Sequence, residues 1–73
     1  MTPNQEFKNW RRTLYFERKR QKLRPSKVDM ISGLSSGVVT RNETGSGRMS
    51  VPSFIKWANA LGYELKFVKK GED

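Results

Sequence analysis

The stretch from residue 22 to residue 45 is the feature that most constrains the fold of this chain. It reads as a helix, a tight turn at Gly33, a second helix and a stop at Gly45. Glycine suits both stops because helices commonly end on a left-handed residue. Pro25 suits the first position of the first helix, and Ser35 or Ser36 is expected to cap the second. Two short helices joined in this way form a helix-turn-helix, which can present one helix to the major groove of DNA.

The charge of the chain favours a polyanionic partner. Fifteen Lys and Arg face seven Asp and Glu, giving a net charge of +8 in 73 residues. Such a surface attracts nucleic acid first and an anionic membrane second. No apolar run reaches membrane-spanning length, and the first residues lack the apolar core of a signal peptide. The sequence therefore predicts a cytoplasmic protein without a membrane association.

Length and residue types exclude several function classes. We expect a single domain over residues 1–73, and the absence of Cys and His leaves no disulfide and no typical zinc site. Without a histidine base, a cysteine nucleophile or paired carboxylates, the sequence predicts neither an enzyme nor a metal or cofactor. So small a domain buries little surface, so tight helix packing or dimerisation must compensate.

Two further helices flank this stretch. The first is predicted from about residue 3 to residue 22, capped by Thr2 or Asn4, and its spacing makes one face buried. The last is predicted to begin at Pro52 or Ser53 and to end at Gly62. The apolar residues expected to face inward are Phe7, Trp10 and Leu14 in the first, and Phe54, Trp57, Ala58 and Leu61 in the last.

The C-terminal part alternates apolar and polar residues. Residues 63–68 are rich in strand formers and are predicted as a β-strand, with a helix through Leu61, Leu65 and Val68 as the alternative. Residues 69–73 are predicted to be a frayed tail.

Several short motifs, taken in order, resemble the phage repressor and Cro-like (XRE-type) helix-turn-helix family. They are Arg18 five residues before Leu23, the turn at 33–35, the run at 39–45 and the ending at 60–62. The resemblance extends from about residue 14 to residue 68. It implies a mainly α fold: a small lambda-repressor-like helix-turn-helix bundle of four or five helices, with the third in the major groove. With residues 63–68 added, we expect four helices and a C-terminal β-strand.

The resemblance also implies which residues contact DNA. The positions matching those that read bases are Ser35, Ser36, Gly37 and Arg41, with Thr40 close by. Arginine can donate two parallel hydrogen bonds to guanine, although phosphate contact or plain solvation is the alternative for Arg41. Phosphate contacts are expected from the free N–H groups of Ser26 and Lys27 and from loop and helix cations. The expected phosphate-binding residues are Arg24, Ser26, Lys27, Arg48, Ser53 and Lys56.

A structural ion pair between Arg18 and Glu43 is implied by the same resemblance. Such a pair would fix geometry more than it would add net stability. Three residues depart from the family pattern: Pro25 replaces a phosphate-touching Gln, Asp29 a small residue, and Asn42 an apolar one. The Asp29 carboxylate is expected to reach solvent or a cation.

A homodimer is expected because one recognition helix reads only a few base pairs. Two half-sites about 34 Å apart would match a two-fold dimer. The strand at residues 63–68 could pair across the two-fold axis, with Tyr63, Leu65 and Phe67 at the interface. The alternative is that these three side chains pack on the chain's own helices.

The leading functional hypothesis is a DNA-binding transcriptional regulator, a phage-type repressor that acts as a homodimer on a palindromic operator. The alternative is an antitoxin that binds a partner toxin and autoregulates its promoter. Its docking patch would be Tyr15 and Phe16 with the apolar pair Met30 and Ile31. A third hypothesis is nonspecific binding of RNA or of a membrane surface through charge alone.

Overall fold

The structure is a computed structural model that describes residues 2–45 and 47–71. Within these ranges the chain forms four helices. They are α1 (Pro3–Arg20), α2 (Pro25–Ser32), α3 (Val38–Glu43) and α4 (Val51–Ala60). The prediction of a mainly α fold with four helices is confirmed.

The N-terminus of α1 is fixed by a capping box. The hydroxyl of Thr2 accepts from the backbone N–H of Gln5 at 3.2 Å, and the Gln5 side chain accepts from the Thr2 N–H at 3.0 Å. Three cations in the last turn complement the helix dipole. The helix ends two residues earlier than predicted, because Lys22 adopts a left-handed φ of 59° that turns the chain.

The core is built around α4. Phe54, Trp57 and Ala58 lie on one face of this helix, and all three are buried together with Leu61. The other helices contribute one buried apolar residue each: Leu14, Val28 and Val39. The predicted inward face of α4 is therefore confirmed.

The predicted inward face of α1 is only partly correct. Leu14 is buried and Phe7 is half-buried, but Trp10 remains 51% exposed. The Trp10 ring packs against Phe7 and Phe54, with centroids 6.2 Å away in both cases. Its outer face stays open because α4 covers only part of the apolar side of α1.

The C-terminal segment differs from the prediction. Residues 63–68 form neither a strand nor the alternative helix. A β-strand needs a neighbouring strand to accept and donate its hydrogen bonds. The described part of the chain offers no segment that pairs with residues 63–68. Of the predicted tail, residues 69–71 form no helix or strand, and residues 72 and 73 lie outside the described residues.

Three contacts tie the start of this segment to the helices. The backbone N–H of Tyr63 donates to the Ala58 carbonyl at 2.9 Å, and its hydroxyl donates to the Glu17 carboxylate at 3.1 Å. The Gln21 side chain donates to the Leu61 carbonyl at 3.0 Å. Hydrogen bonds from Arg20, Gln21 and Tyr63 hold the pKa of Glu17 below its usual value, Arg20 contributing most.

No helix within residues 2–45 and 47–71 combines the length and apolar character needed to cross a membrane.

Candidate nucleic-acid interface

The turn between α2 and α3 begins at Gly33. This residue ends α2 with a left-handed φ of 73°, as predicted. The next N–H, from Leu34, donates to the Asp29 carbonyl at 2.9 Å and so closes the reversal. The chain then passes through Ser35 and Ser36, both exposed, to the first turn of α3.

The N-terminus of α3 is capped by Asp29, a residue on α2. One carboxylate oxygen accepts from the N–H of Gly37 and the other from the N–H of Val39, both at 2.9 Å. Asp29 is only 4% exposed. Its negative charge also complements the positive end of the α3 dipole.

Two predictions about this region are therefore wrong. Neither Ser35 nor Ser36 caps α3, because the N-cap position is Gly37, which has a left-handed φ of 87° and no side chain of its own. The Asp29 carboxylate does not reach solvent or a cation, because the N–H groups of α3 satisfy it.

The predicted base-reading residues lie on the turn and on one face of α3. Positions 37, 40, 41 and 44 share that face by helical spacing. Thr40, Arg41 and Thr44 are exposed, whereas Val39 and Asn42 point inward and are buried. Ser35 and Ser36 extend the exposed surface just ahead of the helix.

The guanidinium of Arg41 lies over Gly37. A Cβ atom at position 37 would stand only 3.0 Å from Arg41 Nη1. This direction is expected because helical side chains lean towards the helix N-terminus. The left-handed φ of Gly37 is what favours glycine at this position, and the absence of a side chain also leaves room for the guanidinium of Arg41.

The C-terminal end of α3 is fastened to α1 by the expected pair of Arg18 and Glu43. Arg18 Nε lies 2.6 Å and Nη2 lies 2.9 Å from the two carboxylate oxygens of Glu43. The remaining Nη1 donates to the Leu23 carbonyl at 2.7 Å. The side chains are 10% and 6% exposed, so this bidentate contact is largely shielded from water.

The loop after α3 stays close to the helix. Gly47 donates its N–H to the Arg41 carbonyl at 3.1 Å. A Cβ at position 47 would meet Arg41 Cβ at 3.0 Å and the Asn42 amide nitrogen at 3.1 Å. A side chain at position 47 would therefore require these atoms to shift by a few tenths of an ångström.

Asn42 is buried at the position where the family resemblance suggests an apolar residue. Its amide nitrogen donates to the Val38 carbonyl at 2.9 Å, while its Oδ1 has no hydrogen-bond partner. Its backbone carbonyl accepts a long contact of 3.5 Å from Arg11. Sequence reasoning gave Asn42 no role, since a buried amide on a six-residue helix has no distinctive pattern.

The predicted phosphate-binding side chains are accessible, with one exception. Ser53 is half-buried. Its N–H and hydroxyl both contact the hydroxyl of Ser50, which caps α4 and starts that helix at Val51, one residue before the predicted start. The exposed members of the set are Arg24, Ser26, Lys27, Arg48 and Lys56.

One predicted backbone donor is already in use. The N–H of Lys27 donates to the Arg24 carbonyl at 3.0 Å, so it is not a free group at the start of α2. Pro25 has no N–H. The N–H of Ser26 is therefore the donor in the first turn that has no acceptor within the helix.

No metal centre is formed by the part of the chain that the structure describes: it contains no group of three or more acidic, His or Cys side chains that could hold an ion. Comparisons with protein-family models, with curated proteins and with solved structures found no match to this chain.

Proposed function

We propose that this protein is a sequence-specific DNA-binding transcriptional regulator, a cytoplasmic repressor of the phage type that acts as a homodimer on a palindromic operator. The observation that carries the proposal is the exposed face of α3, where Thr40 and Arg41 are accessible and follow two exposed serines at the turn. That helix is held at one end by Asp29 and at the other by Glu43.

Rigid presentation supports the reading of bases by α3. A side chain carried by a helix that is fixed before binding loses less conformational entropy when it meets its partner. Arginine can donate two parallel hydrogen bonds to the major-groove edge of guanine, and hydroxyl groups can donate to or accept from any base. The proposed base-reading set is Ser35, Ser36, Gly37, Thr40 and Arg41.

The cations around α3 would supply the sequence-independent part of the affinity. Arg24, Lys27, Arg48 and Lys56 are exposed, and the net charge of +8 attracts the phosphate backbone. Phosphate contacts fix the position of a protein on the duplex, while base contacts select the sequence. A dimer seated on a promoter would then exclude polymerase by occupying the same DNA.

The proposal includes a lambda-repressor-like arrangement of the helices. It also includes a change in residues 63–68, which become a β-strand when two copies pair. Tyr63 and Leu65 line an apolar groove, and Phe67 is fully exposed. These are the side chains that dimerisation would cover.

An antitoxin is the second candidate because α1 and α2 carry exposed apolar side chains. Phe16, Met30 and Ile31 are 60%, 64% and 46% exposed. Tyr15 and Phe16 also border a cavity of about 370 Å³ between α1 and the end of α3. A stable, stoichiometric complex with the protein encoded by the adjacent gene would favour this candidate over a repressor acting alone.

Selection from random duplex DNA tests the proposal. The wild-type protein should enrich a palindrome with half-sites about 34 Å apart. Arg41→Ala should cost about 1–3 kcal/mol on the selected site and relax one position in each half. Arg48→Ala is the matched control: it should weaken all sequences alike and flatten the salt dependence by about one unit per bound copy. Equal binding to every duplex at physiological salt would refute sequence-specific recognition.

A further inference from the structure

We propose that the cavity between α1 and the end of α3 binds a small aromatic carboxylate whose ring also carries a hydroxyl group. The cavity has a volume of about 370 Å³ and takes its walls from both helices. This volume lies within the range of about 300–1,000 Å³ that small-molecule sites occupy. None of the residues proposed to contact bases or phosphate lines it, so such a site would function whether or not the chain binds DNA.

Two buried polar atoms at this cavity have no hydrogen-bond partner in the part of the chain that the structure describes. They are Arg11 Nε, a donor, and Asn42 Oδ1, an acceptor, and both residues line the cavity. Asn42 is only 3% exposed, and its Nδ2 donates to the Val38 carbonyl, so Oδ1 turns away from that bond. Folded proteins leave few buried polar atoms unpaired because each one is costly. A ligand that accepts from the one atom and donates to the other would remove both costs.

Arg11 presents the edge of its guanidinium that is best suited to a carboxylate. Its Nη1 makes the long contact of 3.5 Å with the Asn42 carbonyl, while Nε has no acceptor. The Nε and Nη2 donors of an arginine form a fork that matches two carboxylate oxygens. Arg18, about two turns further along α1, uses these same two donors to hold Glu43. Arg11 offers the same fork, and no acidic side chain of the described chain occupies it.

The charge around the cavity favours an anion. Lys8 and Arg12 line it together with Arg11, and neither has an ion pair within residues 2–45 and 47–71. Among the described lining residues Glu43 is the acidic one, and Arg18 already compensates its charge. An ammonium group on the ligand would meet three cations, so the donor that the ligand offers is expected to be a neutral hydroxyl.

Tyr15 and Phe16 supply the apolar part of the cavity wall. Their ring centroids lie 5.3 Å apart in an edge-to-face arrangement. Cations of Arg18 and Lys19 already lie over the Tyr15 ring, whereas Phe16 is 60% exposed. A flat ring can therefore pack against Phe16, since aromatic pairs are favourable beyond the area that they bury. A purely apolar ligand would use this wall but would leave both buried polar atoms unpaired.

Calorimetric titration of the full chain, without DNA, tests the site with meta- and para-hydroxybenzoate as probes. At least one isomer should bind one equivalent with a Kd below about 1 mM, and it should raise the melting temperature by mass action. Inorganic phosphate carries only the anion, and phenol carries only the ring and the hydroxyl. Each should bind at least about tenfold more weakly than the better isomer. Absence of binding by both isomers, or equally tight binding of phosphate or phenol, would overturn the proposal.

Arg11→Lys tests the fork of donors. The substitution keeps the positive charge but removes the two parallel hydrogen bonds, so the Kd of the better isomer should rise roughly tenfold or more. Arg12→Lys is the matched control, because it makes the same change one residue along α1, and it should alter the Kd by less than about threefold. Equal effects of the two variants would mean that charge alone attracts the anion, and the proposed site would be wrong.

Asn42→Leu tests the contact with the ligand hydroxyl. On the wild type, the better isomer should bind about three- to tenfold more tightly than benzoate, whereas the variant should bind the two equally. Leucine has a similar size and removes an unpaired buried acceptor, so the variant is expected to fold, which urea denaturation checks. A preference for the hydroxyl that survives in the variant would contradict the contact.

Nuclear magnetic resonance on the wild type locates the site without any substitution. Addition of the better isomer should shift the backbone amide signals of residues 11, 12 and 42–45 and leave that of Trp57 in the core unchanged. Shifts confined to other parts of the chain would overturn the proposed location. Because these measurements contain no DNA, their failure would leave base reading by α3 intact, and a failed operator selection would leave the ligand site intact.

Discussion

Asp29 is the residue on which the position of α3 depends most directly. Its carboxylate is buried, and removal from water is costly for such a group unless hydrogen bonds replace the lost hydration. The two N–H groups at the start of α3 do so with charge-assisted bonds of 2.9 Å. A six-residue helix is far too short to be stable by itself, so this contact helps decide whether α3 forms.

Replacing Asp29 should therefore destabilise the protein without touching the exposed face. We expect Asp29→Asn to lower the free energy of unfolding by about 1–3 kcal/mol, because the amide retains one acceptor and turns a donor towards an N–H group. Urea denaturation measures this change. Glu6→Gln makes the same charge change at an exposed position on α1 and should cost less than about 1 kcal/mol. Equal unfolding free energies for the two variants would contradict the capping role.

At the scale of the element, α3 is fastened at both ends by side chains from other helices. Asp29 of α2 holds the first turn, and Arg18 of α1 holds Glu43 in the last. The pair with Arg18 is nearly buried, and breaking such a pair leaves an uncompensated charge. The orientation of α3 is thus a property of its neighbours more than of its own six residues.

Glu43→Ala should reveal this dependence. Loss of the carboxylate leaves the Arg18 guanidinium with only the Leu23 carbonyl, and we expect about 3 kcal/mol of destabilisation. Affinity for the selected half-site should fall as well, although Glu43 lies off the exposed face. Thermal melting and a binding titration measure the two effects. An unchanged melting temperature together with an unchanged affinity would contradict the role of the Arg18–Glu43 pair in holding α3.

The helices with strong apolar periodicity were predictable from sequence. α4 repeats apolar residues at helical spacing, and Gly33 marks the end of α2 through a conformation that favours glycine. The cap of α3 could not be predicted from sequence, because the capping carboxylate of Asp29 lies eight residues before Gly37 and reaches it only in the folded chain. Trp10 shows the limit of periodicity: the spacing gives the face of a helix, but not how far its neighbour covers that face.

Some features of the candidate site could be predicted from sequence, and others could not. The exposure of Thr40 and Arg41 follows from the burial of Val39, since neighbouring helical positions point in different directions. The loss of the Lys27 N–H as a donor depends on a bond to the Arg24 carbonyl that residue types do not determine. A strand at residues 63–68 requires a second chain, which a single sequence cannot supply.

For the whole molecule, the excess of cations is the dominant physical property. Electrostatic attraction to a duplex arises from the release of counterions, so affinity falls with salt in proportion to the phosphates neutralised. The four exposed cations proposed to meet phosphate are Arg24, Lys27, Arg48 and Lys56.

The salt dependence of the DNA affinity measures how many of these four cations contact phosphate. A dimer that uses all four on each copy should give a slope of roughly −7 in log K against log salt. Fluorescence anisotropy between about 50 and 200 mM salt covers the useful range. A slope close to zero on the selected operator would contradict phosphate contacts by these residues, and a steep slope with no preference for the operator would favour binding through charge alone.

The contacts that Asp29 and Arg18 make with α3 determine which of its positions can change. Both act from the inward side of the helix, and neither uses a side chain at positions 36, 40, 41 or 44. Those four sites can accept new residues while the scaffold beneath them stays intact, provided that Gly37 is kept. In the proposed DNA-binding role, recognition of a different operator would then require a handful of outward substitutions and no redesign of the interior.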